Sequence, residues 1–332
     1  MNIILKVEDL KAYYVASLYG IKRNVRAVDG VSLNIKENEI FGIAGESGCG
    51  KSTLLKVLVG MIKPPLMVFN GKVIYSLGEE DIDIISIPKE NLDSIRWKIM
   101  SYIPQGSMSV LNPTRKIIKT FEDIIKTHGG DISNKTCREL TEEHIRALGL
   151  PSEILNSYPH QLSGGMRQRV TIALATILKP KIIFADEATT ALDVVVQRGV
   201  IQLLKRVQSE YENTLVIVTH DMAVHANIAD RVAIMYAGKI VEVGKTEDIF
   251  KSPKHPYTKY LIESLPKIGD KSPRESVPGA PPSLLNPPPG CRFHPRCPYV
   301  MKNCKEEVPK LMEIEDGHNV ACFLYLREVE KS

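Results

Sequence analysis

An α/β fold built on a parallel sheet is predicted for this 332-residue chain by three features. Strand-like and helix-like hydrophobic patterns alternate along most of its length. A glycine-rich run, Gly45-Glu46-Ser47-Gly48-Cys49-Gly50-Lys51-Ser52, directly follows a strand pattern and directly precedes a helix pattern. A second apolar strand, Ile182-Ile183-Phe184-Ala185, ends in two carboxylates, Asp186 and Glu187.

The elements follow in order. Residues 3–10 and 31–44 alternate apolar and polar positions, with Val31, Leu33 and Ile35 and then Ile40, Phe41 and Ile43 on the apolar side. Leu54-Leu55-Lys56-Val57-Leu58-Val59 continues as a helix that Gly60 and Pro64-Pro65 stop. A strand-like stretch lies at Met100-Ser101-Tyr102-Ile103. From about 113 the pattern turns helical, Ile117, Ile118, Phe121, Ile124 and Ile125 forming one face. A further helix runs from about Gly164 to Leu178, so the 106–178 block reads as a helical insertion. Strand character returns at 181–186 and at Leu215-Val216-Ile217-Val218, separated by a helix from Leu192 to about Tyr211. Within 231–244, Tyr236-Ala237-Gly238-Lys239 between two apolar runs predicts a hairpin. Residues 273–290 contain seven prolines and read as a stiff, irregular linker.

Hydrophobic content of 43% and charged content of 25% are ordinary for a globular protein of one or two domains. A net charge of +4 is too mild to argue for nucleic acid, and there is no long Lys/Arg run, so no nucleic-acid partner is expected. Glu8 and Asp9 interrupt the first apolar residues before a signal peptide could form. No apolar stretch reaches the ~18–20 residues that span a bilayer. The chain is therefore expected in the cytosol, any membrane role coming through partners.

The glycine-rich run has the chemistry of a P-loop. Its glycines turn successive backbone N–H groups toward phosphate at a helix N-terminus. Lys51 is expected on the β- and γ-phosphates and the Ser52 hydroxyl on Mg²⁺. Gly45, Ser47, Gly48, Cys49, Gly50 and Thr53 complete the expected nucleotide contacts. Asp186, a carboxylate at the end of an apolar strand, is costly unless it meets a cation, and Mg²⁺ is the expected one. Glu187 is expected to orient the attacking water.

Of six cysteines, Cys49 and Cys137 stand alone, whereas Cys291, Cys297, Cys304 and Cys322 cluster. In a reducing compartment such a cluster points to metal rather than disulfides. Four thiolates can ligate a [4Fe–4S] cluster or Zn²⁺, although the Cys-x2–4-Cys knuckles usual for zinc are absent. His294 and His318 lie near them in sequence. The segment after Pro289 is too short for a core of its own, which makes a structural metal staple physically sensible.

Between the two phosphate-handling motifs lies Leu162-Ser163-Gly164-Gly165-Met166, just ahead of a helix. This order of motifs resembles the ATP-binding cassette (ABC) ATPases across residues 1–250. The resemblance implies a P-loop NTPase core with an antiparallel β subdomain, a helical subdomain at about 106–178 and a small C-terminal metal-cluster extension. It also implies that Tyr14, with Tyr13 as the alternate, stacks on adenine. Gln105 is implied to touch Mg²⁺ and sense a transmembrane partner. Asp193, in Ala191-Leu192-Asp193, is implied to lie in the loop joining two active sites, and His220 to contact the γ-phosphate. Ser163, Gly164 and Gly165 are implied to act on ATP held by a facing subunit, so a dimer is expected to belong to the mechanism. Ala188 departs from the family, which commonly has proline there; no chemical group is lost.

His255-Pro256-Tyr257-Thr258, followed by Leu261-Ile262 and Leu265-Pro266, resembles the C-terminal extension of oligopeptide and dipeptide permease ATPases. That likeness implies an ABC domain over 1–250, a helix and Pro-rich linker over 251–290, and an iron–sulfur extension over 291–332. It favours [4Fe–4S] over zinc. It implies an ATPase at the cytoplasmic face of the membrane, working with a second ATPase subunit, two transmembrane permease subunits and, indirectly, an extracytoplasmic solute-binding protein. The solute stays open, nickel or another small solute being the alternative to peptides. A cassette of DNA repair or translation would carry a long coiled-coil insertion or a second cassette, and neither is present. An iron–sulfur redox enzyme leaves the Leu162–Met166 motif and Gln105 unexplained.

Overall fold

The computed structural model describes residues 2–18, 21–78, 80–106, 110–130, 132–189, 193–265 and 277–325. In chain order the elements begin with β1 (Ile3–Leu18), β2 (Ile21–Lys36), β3 (Ile40–Ala44), α1 (Lys51–Leu58), β4 (Leu66–Ser76), β5 (Asp81–Asp83), α2 (Lys89–Ile95) and β6 (Met100–Ile103). Then come α3 (Ile117–Ile124), α4 (Asn134–Ala147), α5 (Gly164–Thr176), β7 (Ile182–Asp186), α6 (Val194–Tyr211) and β8 (Thr214–Val218). The last are α7 (Met222–Ile228), β9 (Arg231–Tyr236), β10 (Lys239–Lys245), α8 (Thr246–Lys251), α9 (Pro256–Glu263), α10 (Lys302–Glu306), β11 (Met312–Glu315) and β12 (His318–Val320). The chain divides into two compact units, Met1–Ser86 with Val218–Ser332, and Ile87–Ile217.

The first unit holds a four-stranded antiparallel sheet of order β2-β1-β4-β5 and the strand series β11-β12-β10-β9-β3, in which β3 and β9 run parallel. The stretch read as one strand pattern over 31–44 is two strands, because Asn38 turns the chain at a φ of 60°. Strand β1 runs past the alternation of 3–10, since register shifts between Val7 and Tyr14 re-aim its side chains and hide the period. The predicted hairpin is β9–β10. Its two turn residues, Ala237 at φ 45° and Gly238 at φ 83°, have the left-handed backbone of a two-residue turn.

The described residues of the C-terminal segment share the core of this unit. Phe293 packs with Tyr236, Tyr257, Ile234 and Val241, and Cys291 and Cys297 lie against the same cluster. The Phe293 ring meets Tyr236 edge-on at 5.2 Å and Tyr257 at 5.5 Å. Strand β12 pairs with β10, extending the sheet. A buried network ties the seam: Glu242 accepts from the Lys254 and His255 backbone N–H groups and pairs with His318 at 2.7 Å.

The second unit carries β8-β7-β6, with β6 and β7 parallel, and the helices α2 to α6. Helix α5 is buried through Val170, Ile172, Ala173, Ala175 and Thr176. The Trp97 indole donates to the Leu174 carbonyl at 2.9 Å, and His144 bonds the Thr176 hydroxyl at 2.9 Å. Among the described residues, no helix is long and apolar enough to cross a membrane.

Candidate functional site

Strand β3, buried at all five residues, delivers the chain into the glycine-rich loop. Gly45, Gly48 and Gly50 have φ of 149°, 77° and 112°. A Cβ on Gly45 would lie 2.1 Å from the Met235 carbonyl oxygen, and one on Gly50 2.0 Å from that of Ala27. Only glycine passes there. The buried Lys51 ammonium donates to the Gly45 and Glu46 carbonyls at 2.8 and 2.9 Å, which centres its charge in the loop. Burial pushes the Cys49 thiol up, which disfavours its thiolate.

The two tyrosines diverge. The Tyr14 hydroxyl accepts from Thr53 of α1 at 3.3 Å. Tyr13 instead donates to Asp29 at 2.5 Å and lays its ring on Phe69; burial, then Asp29, pushes its hydroxyl up to about 12. Tyr13 is thus committed elsewhere. His220, two residues beyond the end of β8, belongs to the first unit and is exposed. His225 is fully buried beneath Gly42 of β3, and burial lowers it to about 4.

Three residues that sequence reasoning gave no role on the loop also touch it. The Glu46 N–H donates to the Tyr257 hydroxyl at 2.9 Å. Arg296 grips the Glu46 carboxylate with both nitrogens, at 2.9 and 3.1 Å. The Gly238 N–H donates to the Cys49 carbonyl at 2.8 Å. Tyr257 belongs to a motif visible in the sequence, whereas an ion pair spanning 250 residues leaves no local signal.

In the second unit, Asp186 is 2% exposed and accepts from the Tyr102 hydroxyl at 3.0 Å. Glu187 has a left-handed backbone, φ 46°. Its carboxylate accepts from Gln105 Nε2 at 2.7 Å, so two of the expected catalytic residues meet. Ser163 caps α5 by accepting from the Met166 N–H at 3.3 Å. Gly164 and Gly165 open the same helix, and a Cβ on Gly165 would lie 2.9 Å from Val196 Cγ1. Asp193 caps α6, accepting from Val195 and Val196. Ala191 and Leu192 lie outside the described residues, as does Pro266.

Cys291, Cys297, Cys304 and Cys322 line one small cavity at the C-terminal segment, with His255 and His294 on its wall. None of them is in a disulfide. Burial pushes the Cys291 thiol up to about 11 and that of Cys322 to about 12. Among the described residues, however, no group of three or more His, Cys, Asp or Glu is arranged to hold a metal ion. The expected metal centre is therefore not supported by ligand geometry. His318 is turned to Glu242, and Cys137 is buried in the second unit.

Comparison with known proteins gives the same direction along the whole length. A family described as ABC transporter matches residues 28–190, and one described as oligopeptide/dipeptide transporter, C-terminal region, matches 241–304. The dipeptide transport ATP-binding protein DppD of Caldanaerobacter subterraneus subsp. tengcongensis is 45% identical, over 98% of this chain and 98% of its own. DppD of Bacillus subtilis is 39% identical, over 99% of this chain and 97% of its own. Among solved structures, a post-hydrolysis dimer of the ATP-binding cassette MJ0796 bound to ADP and Pi is similar at a TM-score of 0.62 and 30% identity. It covers 73% of this chain and 98% of that one.

Proposed function

This chain belongs to the ATP-binding cassette transporter family, and we propose that it is the ATP-hydrolysing subunit of an importer for dipeptides or oligopeptides. One observation carries this reading: the likeness to peptide-transport ATPases runs over 98% of the chain and so includes the C-terminal segment that a bare cassette lacks. In this reading the ABC domain covers 1–250, a helix and Pro-rich linker 251–290, and the cysteine extension 291–332.

The roles follow from the chemistry of each group. Backbone N–H groups of 47–53 and the Lys51 ammonium hold the phosphates. Tyr14 stacks on the base. Ser52, Gln105 and Asp186 would hold Mg²⁺, which when bound would supply positive charge to the phosphates. Glu187 takes a proton from water as the water attacks the γ-phosphorus; the bond to the β-γ bridging oxygen breaks, and ADP leaves. His220 steadies the γ-phosphate. Ser163, Gly164 and Gly165 close on ATP bound by the facing subunit, and Asp193 links the two sites. The facing subunit is a second cassette, and the pair works beneath two permease subunits at the cytoplasmic face.

We assign to Cys291, Cys297, Cys304 and Cys322 a structural [4Fe–4S] cluster, zinc being the alternative. Support comes from four cysteines, none in a disulfide, that line one cavity; burial raises the thiols of Cys291, Cys297 and Cys322, so metal uptake there releases protons. Anaerobic protein should contain about four irons per chain, and zinc without iron overturns the assignment. The importer reading is tested by reconstituting the chain with its permease partners in proteoliposomes. ATP-dependent uptake of labelled di- or oligopeptide is expected, and uptake of nickel but no peptide would replace this reading.

A further inference from the structure

The C-terminal segment holds the P-loop through Glu46. Glu46 is fixed at every polar group it owns. Its N–H donates to the Tyr257 hydroxyl, its carbonyl accepts from Lys51, and its carboxylate takes both nitrogens of Arg296. Arg296 is itself fully occupied. It also donates to the Tyr236 hydroxyl at 3.1 Å and to the Pro278 and Val277 carbonyls at 2.7 and 3.3 Å, and its side chain is buried. A bidentate guanidinium–carboxylate pair fixes orientation as well as distance. One residue further on is Cys297, and Phe293 of the same turn stacks in the Tyr236–Tyr257 cluster. A second arginine, Arg292, pairs with Asp29 and bonds the Ala237 carbonyl, beside the hairpin turn whose Gly238 donates to Cys49.

We propose that the cysteine-bearing segment is a clamp on the nucleotide loop, with Arg296 and Tyr257 as positioning residues that hold Glu46, and through its carbonyl Lys51, in the phosphate-binding arrangement. The inference rests on the ATPase reading and adds a direction of control to it: order around Cys291–Cys304 sets the affinity for ATP. Because coupling is reciprocal, ATP must in turn tighten that segment.

The test uses the full chain with its metal as isolated. Arg296→Met should weaken Mg-ATP binding, measured by equilibrium dialysis, about tenfold. It should raise KM while kcat stays within about twofold, because the loop is loosened and the reacting groups are untouched. Arg296→Lys, with the charge but not the fork, should fall between. Tyr257→Phe should weaken binding about threefold. Glu46→Gln combined with Arg296→Met should be little worse than either alone, since the two act through one contact. In hydrogen exchange, ATP should slow the amides of Arg296 and Cys304, which donate to Phe293 and Met301, in the wild type and not in Arg296→Met.

Additive losses in the Glu46–Arg296 cycle, or ATP affinity unchanged in a folded Arg296→Met chain, would overturn the clamp. Wild-type protein that binds no ATP would instead overturn the ATPase reading on which it rests.

Discussion

The P-loop and the helix α5 opened by the Leu162–Met166 run (the signature), proposed above as two halves of one chemistry, are held in opposite ways. Glu46 and Cys49 are tied to Tyr257, Arg296 and Gly238, residues 189 to 250 positions away in sequence. Ser163 and Asp193 are tied to residues two or three positions on, as caps of α5 and α6. The loop is thus shaped by tertiary structure, whereas the signature is shaped by its own helix. A region shaped locally is free to present itself to a facing subunit. One shaped from a distance is exposed to control by whatever shapes it.

The largest test of this contrast is Glu187→Gln. The amide keeps an acceptor for Gln105, so the local arrangement survives, but it cannot take a proton from water. Phosphate release should fall by about 10²–10⁴-fold with ATP affinity retained. ATP-dependent dimers should then accumulate in size-exclusion chromatography. Near-normal turnover would remove Glu187 from the chemistry.

Acid sharpens the comparison next. Burial lowers His225 and His255 of the first unit and His144 of the second to about 4. Their folded values lie below the unfolded ~6.5, so the unfolded chain binds more protons as pH falls. Stability from these groups is complete above pH ~6.5 and is lost as pH drops toward 4, at up to about 1.4 kcal/mol per pH unit for each histidine. Amide exchange followed from pH 7 to 4 should show the first unit losing protection about twice as steeply. Equal slopes would contradict the burial difference.

Gly42→Ala and Gly165→Ala separate the units by packing. At Gly42 a Cβ falls 2.4 Å from the buried His225 ring, whose Nδ1 has no partner, and β3 beneath the loop must shift. A loss of about 1–3 kcal/mol is expected in urea unfolding. At Gly165 the obstacle is a valine methyl at 2.9 Å, and helix propensity returns up to about 1 kcal/mol, so the net change should be near zero. Equal losses would mean that the two glycines are constrained alike.

What was legible in the sequence follows the same division. The caps, the positive-φ glycines and the strand–loop–helix order are local, and the run Gly45–Ser52 and the Leu162–Met166 motif display them. Pairing of Glu46 with Arg296 needs the fold, as does the hydrogen bond that draws Tyr13 to Asp29 and not Tyr14. Strands β4, β11 and β12 were invisible because short or bulged strands in partial contact with solvent keep no clean alternation. The cysteine spacing pointed to one cluster. The cavity that gathers the four residues comes from Phe293 and the docking of β12 on β10, neither of which spacing encodes.

The smallest change in stability gives the sharpest reading of the signature. Ser163→Ala deletes a cap worth about 1 kcal/mol, and a merely structural serine would show that loss and nothing else. Ser163→Asp keeps the cap, because a carboxylate accepts the same Met166 N–H and suits a helix N-terminus. Its stability should match wild type within about 0.5 kcal/mol. A serine that closes on the facing subunit's γ-phosphate, however, cannot be replaced by an anion, so turnover should fall more than about tenfold from charge repulsion alone. Mixing Ser163→Asp chains with Lys51→Ala chains then decides between the roles. Each mixed dimer has one composite site with both defects and one with neither, so part of the turnover should return. Full turnover in Ser163→Asp alone would leave Ser163 as a cap and nothing more.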